Sequence, residues 1–431
     1  MSKLLLQRIL HPVGQGGFYT EQFMNKEEDF DNSVLFNVVY DCGSKEKNLL
    51  DKTIDYTFPK KKSEIDILFL SHFDEDHVNG VEYLGKRVQK IKCVVMPLLK
   101  ASQKVMAFLN CQIDFFNMPS FKVIHNIDKV VFIKGVETSS SELENSSRNR
   151  ERNLNNINRE YRNVINVEDT EDLEILSSGT PLSLIHLDSR KPTKEWIYIP
   201  FNICDESEYD EFKKFLQSDD SDLAEKLTKF IEGFEFENGS GKVSKFRLSE
   251  WDEIKKGLRK IYDKYIKEKS QNLTNRNDSS MIVYSGPIEN NVEIRNGGWK
   301  VKSMMEGGFF LKSLMQKAKE KKLVASLYTG DIDLNMNIGS LKLYEYIHTK
   351  LQDYAVNLGL IQVPHHGSKH NFNTWLTGKF SQVPVFFYSF GLGNSYGHPF
   401  PGVRMWLYHD KKKVFEITED KESELIQIIE N

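Results

Sequence analysis

Residues 67–80 read ILFLSHFDEDHVNG. The apolar run Ile67-Leu68-Phe69-Leu70 has the composition of a buried strand. It breaks into Ser71-His72-Phe73-Asp74-Glu75-Asp76-His77, where two imidazoles and three carboxylates fall between positions 72 and 77. Carboxylates this close repel one another and raise one another's pKa unless a cation sits among them. The plain alternative is a solvated loop, and the rest of the chain has to decide between the two.

Further along, three other apolar runs end in the same residue types. Leu327-Tyr328-Thr329-Gly330-Asp331 places an acid after a glycine, and Ile361-Gln362-Val363-Pro364-His365-His366-Gly367-Ser368 ends in a His pair. Ser395-Tyr396-Gly397-His398-Pro399 sets a histidine between turn formers. A sheet would present all of these at one rim, as a cluster of His and Asp distant in sequence. Within the first loop, adjacent Asp76 and His77 cannot both point where His72 and Asp74 point, so the loop offers two half-sites.

The chain of 431 residues is 39% hydrophobic and 28% charged, which suits a globular protein of one large or two ordinary domains. With 58 basic and 62 acidic side chains the net charge is −4, so no global positive field draws it to nucleic acid or anionic lipid. Any polyanion site must be local. There is no run of about 18 apolar residues, and the opening MSKLLLQRILHP lacks a signal-like core and cleavage site; no membrane association and a cytoplasmic location are expected. Cys42, Cys93, Cys111 and Cys204 form no CxxC pair, so thiolate ligands are not expected.

Short strand patterns recur at Leu4–Leu6, Val34–Tyr40, Ile67–Leu70 and Ile91–Pro97, with a helical stretch over Val81–Val88 between the last two. That alternation predicts an α/β layered fold. Residues 136 to about 170 turn polar, rich in Asn, Ser and Arg, and read as a mobile arm or exposed helix. Strand patterns return at 173–176, 182–185 and 196–200. Two amphipathic helices follow, one with Leu223, Leu227, Phe230, Ile231 and Phe234 on a face, the other with Trp251, Ile254, Leu258, Ile261, Tyr262 and Tyr265. These stripes are read as packing surfaces. The expected division is 1–135 and 272–431 as two halves of one fold, with 136–271 a polar arm and helical insertion outside it. Strand patterns at 281–284 and 323–328 open the second half.

The pattern His72-x-Asp74-x-Asp76-His77, then TGD at 329–331, PHHGS at 364–368 and YGHP at 396–399, resembles the metallo-β-lactamase fold, and within it the ComEC-like branch of DNA-uptake proteins. Weaker marks point the same way: VGQG at 13–16, YDCG at 40–43 and Asn277-Asp278-Ser279-Ser280. The resemblance implies an αββα sandwich holding two divalent ions, zinc or manganese. It assigns His72 and Asp74 to one metal, Asp76, His77 and His366 to the second, and Asp331 to a bridge. His365 and His398 are then expected at the substrate, as phosphate contacts or proton donors to the leaving group, with Asp76 also counted as catalytic. Three carboxylates contribute −3 against +4 from two ions, leaving about +1 to meet a phosphate oxygen. A hard oxygen and nitrogen donor set suits manganese as well as zinc.

Two departures stand out. Gly17 and Phe18 follow the GQG turn where the family has Asp or Asn, so no supporting acid is carried to that position. No third ligand for the first metal is evident, His186 and Asn277 being the nearest options. His11, His186 and His370 are read as structural. The turn at Gly14–Gly17 has no Lys-Ser/Thr after it and is no phosphate-cradling loop.

The expected activity is phosphodiester hydrolysis by metal-activated hydroxide, with nucleic acid as substrate. ComEC-like domains are normally attached to a membrane channel, and a free-standing form with an insertion suggests an effector, such as one component of a bacterial defence system. The alternatives are a small-molecule phosphoesterase, like the phosphorylcholine esterases of the same fold, and an assembly subunit binding protein partners through 136–271. Basic residues at the metal rim, from among Arg148, Arg150, Arg152, Lys317 and Lys369, would favour the nuclease.

Overall fold

The computed structural model describes residues 4–25, 34–59, 63–98, 121–123, 125–137, 165–166, 173–183, 196–204, 214–216, 256–257, 259–261, 264, 280–288, 296–301, 323–338 and 341–430. The apolar run that opened the sequence reading is the strand Glu64–Phe69. Its side chains alternate between two cores. Ile67 and Phe69 face one, and Leu68 with Leu70 the other. Burial on both faces is why the run is continuously apolar rather than alternating.

Two sheets carry the described fold. The first runs, in spatial order, Asn296–Val301, Leu425–Glu430, Leu4–Leu10, Gly16–Asn25, Val34–Ser44, Glu64–Phe69, Lys90–Pro97, Ile127–Lys134 and Leu173–Ser177. From Val34–Ser44 onward its neighbours are parallel. The second runs Lys413–Ile417, Val385–Ser389, Leu358–Gln362, Ala325–Tyr328, Ile282–Pro287, Trp196–Phe201, Leu182–Ser183 and Ile165–Asn166. Its first four strands are mutually parallel.

The sheets face each other across a shared core in which Tyr19, Tyr40, Phe69 and Val95 meet Tyr198, Val283, Tyr328 and Phe387. On the outer face of the first sheet lie helices Lys47–Thr57 and Val81–Arg87, burying Leu50, Ile54, Val81 and Leu84. Helices Leu343–Leu351, Trp375–Lys379 and Pro401–His409 cover the outer face of the second, through Leu343, Ile347, Leu376, Val403 and Leu407. The chain is thus a mixed α/β protein, as its alternation predicts. None of its described helices is long and apolar enough to cross a membrane.

A buried charged cluster crosses between the sheets. Arg8 Nε donates to Glu21 Oε1 at 2.7 Å, and Glu21 also accepts from Tyr198, Ser285 and Tyr328 of the opposite sheet at 2.7–2.9 Å. Full pairing is what makes burial of this charge tolerable.

The boundaries of the insertion need correction. Leu173–Ser177 and Trp196–Phe201, placed outside the sandwich by sequence, are strands of the first and second sheets, pairing with Ile127–Lys134 and Ile282–Pro287. Hydrophobic periodicity identifies a strand but not its neighbour, so membership in a sheet was invisible there. The two amphipathic stripes at 223–234 and 251–265 lie almost wholly outside the described residues.

The loop at 70–77 rests on glycines. A Cβ at Gly43 would stand 2.4 Å from the Asp76 carbonyl carbon and His77 nitrogen, and one at Gly16 would stand 2.4 Å from the Asp76 oxygen. These are main-chain atoms, which cannot swing aside. Gly43→Ala is therefore expected to cost about 1–3 kcal/mol in denaturant unfolding by overpacking. Gly393→Ala, with nothing within 4 Å of its Cβ, is the control; equal stability of both variants would contradict the close approach.

Candidate metal centre

Parallel pairing aligns the carboxyl ends of strands from both sheets at one edge, the place where open α/β sheets bind ligands. From the first sheet, Glu64–Phe69 leads into His72 and Asp74, then into the single helical turn Glu75–Val78 holding Asp76 and His77. From the second, Ala325–Tyr328 leads to Asp331 and Leu358–Gln362 to His365 and His366. The turn before Asp331 is pinned by Gln362, whose Oε1 accepts from Thr329 and Gly330 nitrogens at 2.9 and 3.1 Å.

His72, Asp76, His77, Asp331 and His366 are all buried and converge. Asp331 carboxylate oxygens lie 3.7 Å from His72 Nε2, 3.4 Å from His77 Nε2 and 3.8 Å from His366 Nε2. His366 Nε2 is also 3.8 Å from Asp76. These spacings are too long for hydrogen bonds, and the Nε2 atoms of His72, His77 and His366 have no hydrogen-bond partner. Two ligands on one ion at about 2.1 Å and a tetrahedral angle sit roughly 3.4 Å apart. The vacant nitrogens and their distances from carboxylate oxygen therefore fit a cation between them.

Among the described residues, two groups of ligand atoms are compact enough to hold an ion: His72, His77 and Asp331, and Asp76, His77 and His366. His77 belongs to both. Asp74 belongs to neither group; it is partly exposed, 4.0 Å from His72 Nε2. The fit extends to the far side of each ring. His77 Nδ1 hydrogen bonds to Asp41 at 2.8 Å, His366 Nδ1 to the Ser389 carbonyl at 2.7 Å, and His72 Nδ1 to the hydroxyls of Ser71 and Ser280 at 2.8 and 3.3 Å. Such outer contacts fix the tautomer that leaves Nε2 available to a metal.

Charge balance follows from these neighbours. Burial by itself would raise the Asp331 carboxyl, but His365, His77, His366 and His72 together hold it well below the usual carboxylate range. Burial would likewise depress His77, yet Asp331 and Asp41 raise it to about 10. These neighbours favour a proton on His77 with which a metal ion at Nε2 would compete. Burial lowers His72 and His366 and raises Asp74. Against burial, His77 and His366 lower Asp76. The repulsion expected among the loop acids is offset at Asp76 and Asp331 by imidazoles.

Asp41 is the contributor that sequence reasoning missed. Fully buried at a left-handed φ of 56°, it binds His77 through Oδ2 and accepts from the Ser71 nitrogen and hydroxyl at 2.7 and 2.8 Å. A Cβ at Gly17 would stand 3.1–3.3 Å from Asp41 and His77. The glycine that seemed a missing acid in the GQG turn leaves room for one supplied by YDCG instead. Asp41→Asn is expected to weaken metal binding about 10- to 100-fold, measured by competition with a chromogenic chelator; unchanged affinity would reduce Asp41 to a packing residue.

His365 and His398 form the rim. His365 Nε2 lies 3.7 Å from Asp331, and its ring stands edge-on to His398 with centroids 5.3 Å apart. Both His365 and His366 have left-handed φ, 49° and 54°, a conformation worth its strain where it aims side chains. His398 is half-buried; burial, then His365 and His366, push it down to about 4. It is held by Asn394, whose Nδ2 donates to the carbonyls of Gly391 and His398 at 2.7 Å while Oδ1 accepts from the His398 nitrogen at 3.1 Å. Lys45, beside Glu75 at 3.7 Å, faces the same opening: partial burial would lower it, but Asp76, Glu75, Tyr396 and Asp74 raise it.

His11 is buried against Phe18 and Thr20, away from this cluster, and His370 is exposed. His186, Asn277, Arg148, Arg150, Arg152 and Lys317 lie outside the described residues; Lys369 is exposed, over the Phe400 ring. Compared with known proteins, the chain matches no family model and no curated sequence at a significant level.

Proposed function

We propose that this chain is a metal-dependent phosphodiester hydrolase, a nuclease of the metallo-β-lactamase fold and ComEC-like type. The observation that carries the reading is the set of three buried Nε2 atoms without hydrogen-bond partners, converging on the Asp331 carboxylate from the ends of strands in both sheets. His72, Asp76, His77, Asp331 and His366 would hold the metal, with Asp74 at the edge of the first group. The facing sheets with helices on both outer sides are what an αββα sandwich requires. A bound divalent ion supplies a lowered water pKa and a Lewis acid for the phosphoryl oxygen.

The chain's own residues do the rest. Asp41, Ser71, Ser280 and Ser389 orient the ligand imidazoles. His365 and His398 face the position of a substrate phosphate, and Lys45 adds positive charge at the opening. An open rim with Lys45, Lys369 and exposed Tyr396 favours a polymeric substrate over the small-molecule phosphoesters of an enclosed pocket.

The test is an assay of the full chain with added manganese or zinc against bis-p-nitrophenyl phosphate and against single- and double-stranded DNA and RNA. Metal-dependent cleavage of polynucleotide is the expected result. Absence of any phosphodiester cleavage with either metal would reject it, and cleavage of small esters alone would favour the phosphoesterase.

A further inference from the structure

The loop Gly391–His398 carries a feature that phosphodiester chemistry does not need. Tyr396 is 62% exposed, on a loop that Asn394 anchors through Gly391 and His398. Its ring lies at 19° to that of His398 with centroids 6.1 Å apart, and His398 in turn contacts His365, which faces Asp331. Three aromatic rings thus lead from the carboxylate out to solvent. Beside Tyr396, Gly397 sits at φ 74° with nothing within 4 Å of where a Cβ would be, so the surface there is open.

Positive charge lies near this ring path. Lys45 is close enough to Tyr396 and Asp76 to interact with both. Lys369 is exposed, its ammonium 5.3 Å from the centre of the Phe400 ring, and the Phe400 nitrogen donates to the carbonyl of Gly367, next to His366. An exposed ring on a fixed support, two residues before the rim imidazole His398 and with a lysine nearby, is the arrangement that binds single strands: cations track the backbone and the ring takes a base. Because Asn394 already fixes the loop, stacking on Tyr396 costs little additional ordering.

We propose that Tyr396 is a nucleobase-stacking residue and that the site takes unpaired polynucleotide, a base resting on Tyr396 beside the phosphate at the metal centre. This rests on the phosphodiesterase reading and names its substrate class. Bases within a duplex are stacked on each other and cannot reach the ring without being flipped out. DNA and RNA share this chemistry, so both are probed.

The test is fluorescence anisotropy with the full chain and manganese at low temperature, using labelled phosphorothioate-linked oligothymidylate, oligouridylate, an abasic oligonucleotide of equal length and a DNA hairpin, each checked by gel to be intact after the measurement. Wild type is expected to prefer at least one of the two base-bearing strands over both the abasic strand and the hairpin. Tyr396→Ala is expected to lose about tenfold in affinity for the preferred strand, erasing its margin over the abasic strand. Tyr396→Phe, which keeps the ring and loses the hydroxyl, is expected to keep that margin. The inference is overturned if Tyr396→Ala binds as wild type does, if Tyr396→Phe is as weak as Tyr396→Ala, or if wild type makes no distinction between base-bearing and abasic strands. A parallel assay of wild type on bis-p-nitrophenyl phosphate with manganese judges the hydrolase reading separately, since that ester carries no base.

Discussion

Asp331→Asn is expected to abolish metal-dependent hydrolysis while the chain stays folded. The carboxylate reaches within 3.4–3.8 Å of four imidazoles from both sheets, and no other side chain described here does so. Asparagine preserves its shape and removes its charge. Losing an anion that would help hold the ion is worth several kcal/mol at the reacting centre, or on the order of 10³-fold in rate. The main chain is held independently, its nitrogen donating to Ser280 Oγ at 3.0 Å and its carbonyl accepting from Asn371 at 2.9 Å. Circular dichroism and metal content, read beside the kinetics, separate loss of ligand from loss of fold. Wild-type rates in the variant would refute a metal role for Asp331.

His398→Ala should produce a loss that depends on the leaving group. The neutral imidazole can donate to a non-bridging phosphate oxygen; protonated, it can pass a proton to a departing alkoxide, a role worth roughly 10²- to 10⁴-fold. p-Nitrophenolate needs no acid, so hydrolysis of its esters should fall far less than cleavage of a nucleotide linkage. The pH dependence has a definite sign. Burial and the neighbouring His365 and His366 depress His398 to about 4, so its acid form in the free protein is gained as pH falls toward that value. In wild type the ratio of kcat/KM for poor to good leaving groups should therefore rise from pH 8 to pH 5, and in the variant it should be flat. Taking a ratio cancels changes in metal occupancy common to both substrates. Equal losses on both substrates would remove the acid role, and loss of metal would make His398 a ligand.

The residues of the candidate site were legible because they cluster: His72, Asp74, Asp76 and His77 within one loop, His365 and His366 side by side, and Asp331 after a glycine. Each sits where an apolar run breaks, a signal that needs no knowledge of the fold. Asp41, Ser280, Ser389 and Asn394 were not legible as contributors. Asp41, Ser280 and Ser389 act through one to three hydrogen bonds to partners distant in sequence, and a lone Asp or Ser at a strand end carries no such message; Asn394 acts on Gly391 and His398, three and four residues away, as turn asparagines commonly do. Asp41 was in view within YDCG, but only the left-handed turn at that residue aims its carboxylate at His77. The strands at 173–177 and 196–201 failed differently: their type was readable, and their partners were not. Pairing between distant strands is decided by side-chain complementarity across the ladder, which a linear pattern does not record.

The five converging ligand residues come from opposite sheets: His72, Asp76 and His77 from one, Asp331 and His366 from the other. Neither sheet alone presents a complete group, because Asp331 or His366 is needed in each. An ion bound by either group would then be a rivet between two layers that also meet through apolar contact, the Arg8–Glu21 cluster and hydrogen bonds such as Tyr19–Ser389 and Tyr40–Met281. Metal release would remove one of the ties between the layers at this edge, leaving hydrogen bonds such as Met281 nitrogen to the Ser71 carbonyl at 2.6 Å. By mass action, a free ion at a hundred times its dissociation constant would add about 2.7 kcal/mol to stability, so the unfolding temperature should climb with metal concentration and drop on chelation. In a cell, scarcity of metal would then limit how long the folded chain persists as well as how fast it works.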